Sequence, residues 1–282
     1  MKVLLTGGLG RLGRYVAKAL EDSHEIVLFD AVPGTDARHA VVIGDIRSED
    51  DVTRAIAGCD AVVHLAGIPI LTPEHRAIWD INTSGTLNVL ECMVASNARR
   101  IVFASSICAE GFINSSSPLP LRSVPVDESY DGVPDDIYGL SKTVGELLCQ
   151  AYVRRHGFTA VSLRFATIRY PEIPQSVARL KRHSEEDGAR FLWNYVDARD
   201  AAQATKLALE SDLDGHHAFH VGADDTCSPI SSRELVSRFY PYGNPAFEAG
   251  FPATEHEAVW SIREIKRTLG YQPRHTWRAE PQ

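Results

Sequence analysis

The first twenty residues combine an apolar run, a glycine-rich turn and a segment with helical periodicity. Residues 2–5 form the run, and residues 14–20 form the helical segment. The turn between them reads Thr6-Gly7-Gly8-Leu9-Gly10-Arg11-Leu12-Gly13. A strand, a glycine turn and a helix in this order are typical of a site for a dinucleotide pyrophosphate. Gly7 allows the tight turn, Gly10 lets the backbone approach the phosphates, and Gly13 lets the helix pack against the strand.

Two further features distinguish this turn from a glycine turn without a ligand. The backbone N–H groups of Arg11 and Leu12 are expected to point at a bound anion from the N-terminus of the helix. The next apolar run, residues 25–29, ends at Asp30, an acidic residue placed to bind the ribose hydroxyls. Because a carboxylate repels a 2′-phosphate, NAD is predicted in preference to NADP. Arg11 and Arg38 are nearby cations that can weaken this preference.

Composition narrows the class of protein. The chain has 282 residues, is 44% hydrophobic and carries a formal charge of -8. An acidic chain without a basic stripe disfavours nucleic-acid binding. No apolar stretch reaches a transmembrane length, and the N-terminal run is far shorter than the apolar part of a secretory signal. The five cysteines contain no Cys-x-x-Cys pair, which predicts a reduced cytoplasmic protein without a structural metal.

Apolar runs alternate with helical patterns through the first two-thirds of the chain. Strands are predicted at residues 2–6, 25–29, 40–43, 60–65, 99–105 and 159–165. Helices are predicted at residues 11–21, 49–57, 74–96 and 138–156. This alternation indicates an α/β fold with a Rossmann-type doubly wound parallel sheet. We expect a nucleotide-binding domain from residues 1–165 and 191–220, and a small C-terminal substrate lobe from 166–190 and 221–282. The charged residues 174–190 predict a solvated helix or lid.

Several residues near the ends of the predicted strands are candidates for cofactor contacts. Asp45 either accepts a hydrogen bond from the adenine amino group or caps the helix at 49–57. The small residues of Leu65-Ala66-Gly67 allow the cofactor ribose to lie against the backbone. Asn82 lies inside a long predicted helix, where asparagine is unfavourable, which indicates a role beyond filling space. His64 belongs to an apolar strand and is predicted to be a core histidine.

Tyr138 and Lys142 are four residues apart at the start of a predicted helix, so they project from one face. An ammonium group beside a tyrosine lowers the pKa of the phenol, which makes Tyr138 a usable general base. Ser106 lies at the carboxyl end of a central strand, where parallel sheets place their sites. The alternatives are an exposed helix face for the Tyr–Lys pair and turn chemistry for the serines, which for Ser105 is the better interpretation.

These motifs together resemble the extended short-chain dehydrogenase/reductase family, the group that contains NAD-dependent sugar epimerases and dehydratases. The residues that carry the resemblance are the Thr6–Gly13 turn, Asp30, Asp45-Ile46, Leu65-Ala66-Gly67, Asn82 to Thr86, Ser105-Ser106, Glu128, Pro134, Tyr138, Lys142, Tyr195 to Asp200 and Ser261 to Pro273.

The resemblance implies that Tyr138 is the base, that Ser106 positions the reacting hydroxyl, and that Lys142 holds the nicotinamide ribose. It places Ile46 and Asn82 with the cofactor residues, Asn82 on a proton-relay helix. It also implies a homodimer formed through the helices predicted at 74–96 and 138–156.

Departures from the family pattern narrow the choice of member. Ser106-Ile107-Cys108 lacks the Thr-Asp-Glu that dehydratases carry there. The segment 169–194 is short and leaves little material for a nucleotide pocket, which indicates a smaller substrate. The short chain resembles uronate dehydrogenases, although those show Asn-His where this chain has Ile107-Cys108. Arg164 either binds a substrate carboxylate bidentately or forms a structural ion pair.

The sequence therefore predicts an NAD-dependent oxidation of a hydroxyl group on a small sugar or sugar acid. The predicted substrate-binding residues are Ser106, Ile107, Cys108, Tyr138 and Arg164. The alternatives are a nucleotide-sugar epimerase with tightly bound NAD and a non-catalytic dinucleotide sensor on the same fold. No nucleic-acid, membrane or metal partner is expected.

Overall fold

The computed structural model describes residues 1–116, 120–173, 185–241 and 245–279, and is built around a seven-stranded parallel sheet. Its strands, in chain order, are β1 (Lys2–Thr6), β2 (Glu25–Asp30), β3 (Ala40–Ile43), β4 (Ala61–His64), β5 (Arg100–Ser106), β7 (Thr159–Phe165) and β10 (His216–Val221). Their order across the sheet is β10-β7-β5-β4-β1-β2-β3. The order reverses beside β1, where doubly wound sheets bind nucleotides. The predicted fold class is confirmed.

Helices cover both faces of this sheet. They are α1 (Arg11–Leu20), α2 (Glu49–Ile56), α3 (His75–Ile78), α4 (Gly85–Ala95), α5 (Ile137–His156), α6 (Glu185–Ala189), α7 (Ala198–Glu210), α8 (Ser232–Phe239) and α9 (Arg263–Leu269). Helices α1 and α7 pack together, whereas α4 packs against both α2 and α5. Neighbouring residues of β1 face opposite layers, because Leu4 lies in one apolar core and Leu5 in the other. The first core also holds Val16, and the second holds Val89.

The long helix predicted at 74–96 is present over residues 75–95, and it contains a π-helical turn. This turn, Trp79–Ser84, separates α3 from α4. Directly after this turn, Gly85 packs closely against Ile46. A Cβ at Gly85 would lie only 2.7 Å from Ile46 Cγ2. The predicted long helix is therefore confirmed, and the π-helical turn inside it is the feature that the sequence did not indicate. The wider turn lets Asn82 point into the interior, where it is 3% exposed.

Four short strands lie outside the main sheet. They are β6 (Ser123–Val124), which pairs with β11 (Ala246–Phe247), and β8 (Thr167–Arg169), which pairs with β9 (Tyr195–Asp197). Strand β8 directly follows the carboxyl end of β7 and lines one wall of the large cleft described below. Of the charged segment predicted as a helix or lid, residues 174–184 lie outside the described residues. All five cysteines are free and buried. Among the described residues, no helix is long and apolar enough to cross a membrane.

Candidate active site

The glycine turn between β1 and α1 forms a cradle that larger residues cannot form. Gly7 has a φ of +68°, and a Cβ there would lie 2.9 Å from the backbone nitrogen of Ala66. A Cβ at Gly13 would lie only 2.3 Å from the carbonyl oxygen of Gly7. Helix α1 begins directly after Gly10, so its free N–H groups face the same space. These features fit a bound pyrophosphate.

Asp30 stands at the carboxyl end of β2 beside this cradle. Its Oδ2 accepts a hydrogen bond from Leu9 N at 3.0 Å, and its Oδ1 accepts one from Val32 N at 3.0 Å. The carboxylate therefore links the glycine turn to β2. Both oxygens retain acceptor capacity, which suits the two hydroxyls of a ribose.

Asp45 does not cap α2, because Ser48 is the N-cap and accepts from Asp51 N. The Asp45 carboxylate instead binds the Arg47 side chain at 2.5–3.0 Å, and this hydrogen bonding lowers the pKa of Asp45. The capping alternative is thus excluded, and Asp45 faces the cleft together with Ile46.

A single cleft of about 990 Å³ runs along the carboxyl edge of the sheet. Of the predicted site residues, it is lined by Gly7, Gly10, Arg11, Leu12, Gly13, Asp30, Asp45, Ile46, Leu65, Ala66, Gly67, Ser106, Ile107, Cys108, Tyr138 and Lys142. Its size is near the upper end of ordinary ligand pockets, as a dinucleotide and a small substrate require. Asn82 and Arg164 do not line it.

Tyr138, Lys142 and Ser106 meet at one end of the cleft. Asp136 caps α5 by accepting from Tyr138 N at 2.9 Å, which fixes the first turn of the helix. Tyr138 and Ser106 line the same cleft, and the Ser106 side chain acts to lower the pKa of Tyr138. The ammonium of Lys142 lies 5.8 Å from the centre of the Tyr138 ring and donates to the carbonyl of Ala104 at 2.8 Å. The structure thus brings the predicted catalytic set together.

The electrostatics of this set differ from the prediction. Burial raises the pKa of Tyr138 well above its ordinary value, and the Ser106 side chain offsets only part of that effect. Burial lowers the pKa of Lys142 to about 8. The expectation that Lys142 brings the pKa of Tyr138 below its ordinary value is therefore not met. Desolvation of the phenolate is the largest cause of the rise in the pKa of Tyr138, and the nearby Cys108 and Asp136 act in the same direction.

Asn82 supports the site from behind. Its Oδ1 accepts from Ile68 N at 2.7 Å, and its Nδ2 donates to Ile68 O and to Ser141 Oγ, each at 3.1 Å. Ser141 in turn donates to the carbonyl of Tyr138 at 2.7 Å. Asn82 therefore holds the loop after β4 against α5. The prediction that Asn82 contacts the cofactor is corrected, because Asn82 supports the wall of the cleft and does not line it.

Arg164 is held inside the protein. Its Nε and Nη2 bind the two oxygens of Glu146 at 3.0 and 2.8 Å, and its Nη1 binds Glu110 at 2.7 Å. Of the two alternatives, the structural ion pair is the one formed, and the prediction that Arg164 binds a substrate carboxylate is corrected. The Ser105 hydroxyl donates to Glu146 Oε1 at 2.5 Å, so it does not stabilise a turn as the sequence predicted.

His64 takes the structural role predicted for it, whereas Cys108, predicted to bind substrate, is a buried residue in the wall of the cleft. Cys108 lies in a short 3-10 turn, Ile107–Glu110, that Ser106 caps by accepting from Cys108 N at 3.1 Å. Burial raises the pKa of the Cys108 thiol to about 12, which leaves it a poor nucleophile. His64 bonds to Thr6 and Thr86, and burial lowers its pKa to about 3.

Several residues of the site were not found from the sequence. Glu110, Glu146 and His220 join Arg164 in a buried cluster. For Glu146 the sequence offers one indication: it lies four residues beyond Lys142, so both side chains project from the same face of the helix. Arg169 lines the cleft and forms an ion pair with Asp197 at 2.8 Å. The two residues are far apart in the sequence, so the sequence does not predict this pair. Among the described residues, no group of His, Cys, Asp or Glu side chains forms a metal centre.

The doubly wound sheet, the glycine cradle and the Ser106–Tyr138–Lys142 set define an NAD-dependent enzyme of the extended short-chain dehydrogenase/reductase type. A sequence model of the NAD dependent epimerase/dehydratase family matches residues 3–222, and the chain belongs to this family. NAD is its cofactor.

Similar proteins differ in the reaction that their names state. The chain is 31% identical to an L-arabinose 1-dehydrogenase (NAD(P)(+)) of Haloferax volcanii, over 97% of this chain and 96% of that one. It is 27% identical to a UDP-glucose 4-epimerase of Corynebacterium glutamicum, over 98% and 92%. The crystal structure of a uronate dehydrogenase from Agrobacterium tumefaciens has a TM-score of 0.70 at 22% identity, over 99% and 86%, which shows the shared fold.

Proposed function

We propose that the protein is an NAD-dependent dehydrogenase that oxidises a hydroxyl group of a small neutral sugar. The observation that carries this proposal is the meeting of Tyr138, Ser106 and Lys142 at one end of a cleft whose other end is the glycine cradle. The likeness to an L-arabinose 1-dehydrogenase along nearly the whole chain supports a sugar substrate.

In this proposal each residue has a distinct role. When bound, NAD supplies the acceptor for the hydride of the carbinol carbon. Tyr138 takes the proton of the substrate hydroxyl, so the carbinol becomes a carbonyl. Ser106 donates a hydrogen bond to that oxygen, and the Lys142 ammonium stabilises the negative charge that develops on Tyr138. The buried position of all three side chains keeps water away from the hydride.

The walls of the cleft near Tyr138 favour a neutral substrate over a sugar acid. Ile68 and Ile113 line the cleft and pack against the apolar cluster that contains Tyr138, and Ile107 and Ile168 also line the cleft. The two nearest arginines already face carboxylates, Arg169 that of Asp197 and Arg164 those of Glu110 and Glu146. Among the arginines of the described residues that line the cleft, Arg47 and Arg169 are paired with carboxylates, and Arg11 lies at the glycine cradle over the Tyr170 ring. Burying a substrate carboxylate without a partner is costly.

Substrate profiling tests this proposal. Purified enzyme is incubated with NAD and a panel of neutral aldopentoses and aldohexoses, their uronates and UDP-sugars, and NADH absorbance is followed. We expect NADH from at least one neutral sugar, with kcat/KM at least about 100-fold above that of the matching uronate, a difference of ~2.7 kcal/mol. Turnover of uronates alone would contradict the neutral-substrate argument, and no NADH from any free sugar would contradict the dehydrogenase.

A nucleotide-sugar epimerase is the second candidate, favoured by the 27% identity to a UDP-glucose 4-epimerase across 98% of the chain. An epimerase returns the hydride to the same carbon, so it keeps its NAD and releases no NADH. Interconversion of UDP-sugars without NADH, together with NAD that is retained through dialysis, would identify this activity.

We also propose that the protein forms a homodimer through α4 and α5. These helices pack side by side, joined by a hydrogen bond from Tyr152 to Glu91, and expose Leu87, Val94 and Leu147 at 40, 37 and 56%. Leu147→Glu is expected to convert a dimer into a monomer, because it places a charge in an apolar contact. Light scattering after gel filtration measures this. Val133→Glu, at an exposed valine outside both helices, is the control, and a monomeric wild type would contradict the proposal.

A further inference from the structure

A buried charge cluster lies behind the catalytic serine. We define it as Glu110, Glu146, Arg164 and His220, which come from the turn after β5, from α5, from β7 and from β10. Glu110 and His220 are 1% and 0% exposed, and Glu146 is 8% exposed. Ionised groups at such depth need partners in good geometry.

The bonds inside the cluster form a continuous chain. Glu146 holds Arg164 through both of its oxygens, at 2.8 and 3.0 Å. Arg164 Nη1 donates to Glu110 Oε1 at 2.7 Å, and His220 Nε2 lies 2.6 Å from the same oxygen. The second oxygen of Glu110 is buried with no hydrogen-bond partner among the described residues. The charge of Glu110 therefore depends on Arg164 and His220 alone.

The surroundings of His220 show where its protons are. Its Nε2 faces the Glu110 carboxylate, and its Nδ1 lies 3.1 Å from the carbonyl oxygen of Ser261. A carbonyl oxygen only accepts, and a neutral imidazole has only one N–H to donate. Two acceptors are satisfied at once by an imidazolium. With His220 and Arg164 positive and the two glutamates negative, the charges of the cluster balance.

Each end of the cluster is coupled to a residue of the active site. Glu146 lies one helical turn beyond Lys142 on α5 and accepts from Ser105, the neighbour of Ser106. Glu110 ends the 3-10 turn that Ser106 begins, and this turn carries Cys108 into the cleft wall. The turn has a further tie to α5 through the bond of Thr143 to Ala109 O, at 3.1 Å.

We propose that Glu110 and His220 are positioning residues, which hold Ser106 and its turn in place against Tyr138 through a proton shared between a buried carboxylate and an imidazole. The effect on turnover rests on the proposed function, whereas the state of the proton does not. Loss of that proton leaves a carboxylate oxygen facing an imidazole lone pair at 2.6 Å, and the resulting repulsion loosens the turn.

The cluster makes the site sensitive to alkaline pH. Burial is the largest single effect and lowers the pKa of His220, but the charges and hydrogen bonding of the nearby glutamates together outweigh it, so the net pKa is raised. Glu128, which accepts from His220 N at 2.8 Å, acts in the same direction, and Arg164 opposes it. The edge of the Trp260 ring closes the remaining side. The stabilisation is complete below the unfolded pKa of about 6.5 and is lost as pH rises through the higher folded value.

The first measurement needs no sugar. In protein labelled with 15N-histidine, the ring nitrogens of His220 are identified by their loss in His220→Gln and followed from pH 6 to pH 10. We expect both nitrogens to be protonated at pH 7 and to lose a proton only above the ordinary range of histidine, about 6.5. A neutral ring at pH 7 would overturn the proposal, whatever the enzyme oxidises.

The second measurement separates positioning from folding. We expect Glu110→Gln to lower kcat by about 10- to 100-fold, because small misplacements of reacting groups have effects of this size. The Kd for NAD should change less than about twofold, since the glycine cradle lies on other strands. We expect the 13C signal of the Tyr138 ring to shift in Glu110→Gln, and the midpoint of the alkaline limb of kcat to change in His220→Gln, where the titration of Lys142 remains.

The matched control is His217→Gln on the same strand, whose ring bonds only to the carbonyl of Asp214. It should leave the Tyr138 signal and the pH profile unchanged. Thermal unfolding of each variant verifies that assays are made on folded protein. An unshifted Tyr138 signal in folded Glu110→Gln would overturn the positioning role even if no substrate were known.

Discussion

Replacing Tyr138 by phenylalanine is expected to lower kcat by about three orders of magnitude, within the range that general acid–base groups contribute. The variant keeps the ring but loses the hydroxyl that takes the substrate proton. Because the ring is 6% exposed and packs in the wall of the cleft, its shape is retained, and NAD binding should be preserved. Steady-state NADH formation and calorimetric titration with NAD measure the two properties separately.

Tyr152→Phe is the matched control for this experiment. Tyr152 lies on the same helix, and its hydroxyl contacts Glu91 outside the cleft. It should keep near wild-type turnover. If Tyr138→Phe turned over at the wild-type rate, Tyr138 would have no part in proton transfer, and the site would need a different base.

Gly13→Ala is expected to abolish tight NAD binding. The added Cβ would lie 2.3 Å from the carbonyl oxygen of Gly7 and 2.6 Å from that of Gly8, and both atoms are backbone. Relief requires α1 to move away from the turn, which displaces the N–H groups that face the phosphates. We expect the Kd for NAD to rise at least about 100-fold, or ~2.7 kcal/mol, with a loss of about 1–3 kcal/mol in the free energy of unfolding.

Gly157→Ala controls for the general effect of adding a methyl group to a glycine. Gly157 ends α5 with a φ of +68°, and its Cβ would meet nothing within 4 Å. This change should cost about 1 kcal/mol of stability through backbone strain and leave NAD binding intact. Equal NAD affinity in Gly13→Ala and the wild type would contradict the assignment of the cradle.

The sequence was sufficient for features that depend on local pattern. The strands of β1, β2 and β5 follow directly from apolar runs, and the spacing of Tyr138 and Lys142 placed both on one helix face. The glycine turn was recognisable because three backbone positions each exclude a side chain. Such features involve neighbours in the chain, so the chemistry of each residue type is enough to predict them.

Features that depend on distant contacts were missed. The edge strand β10 contains three histidines and shows no apolar alternation, although His220 is buried in the finished sheet. Arg164 has the same residue type whether it meets a substrate or Glu146, and only the packing of β7 against α5 decides between them. The pKa of Tyr138 likewise depends on burial, which sequence spacing does not reveal.

The π-helical turn at Trp79–Ser84 has a consequence for the chain length of this region. An α-helix advances by about 100° per residue. Deleting one residue here would therefore restore an ordinary helix and rotate the Asn82 amide away from Ile68 and Ser141. In grafts or recombined proteins built from this fold, the number of residues between β4 and α4 therefore matters as much as their identity. Hybrids that are shorter by one residue should lose the contact between Asn82 and the loop after β4, although every contacting side chain is retained.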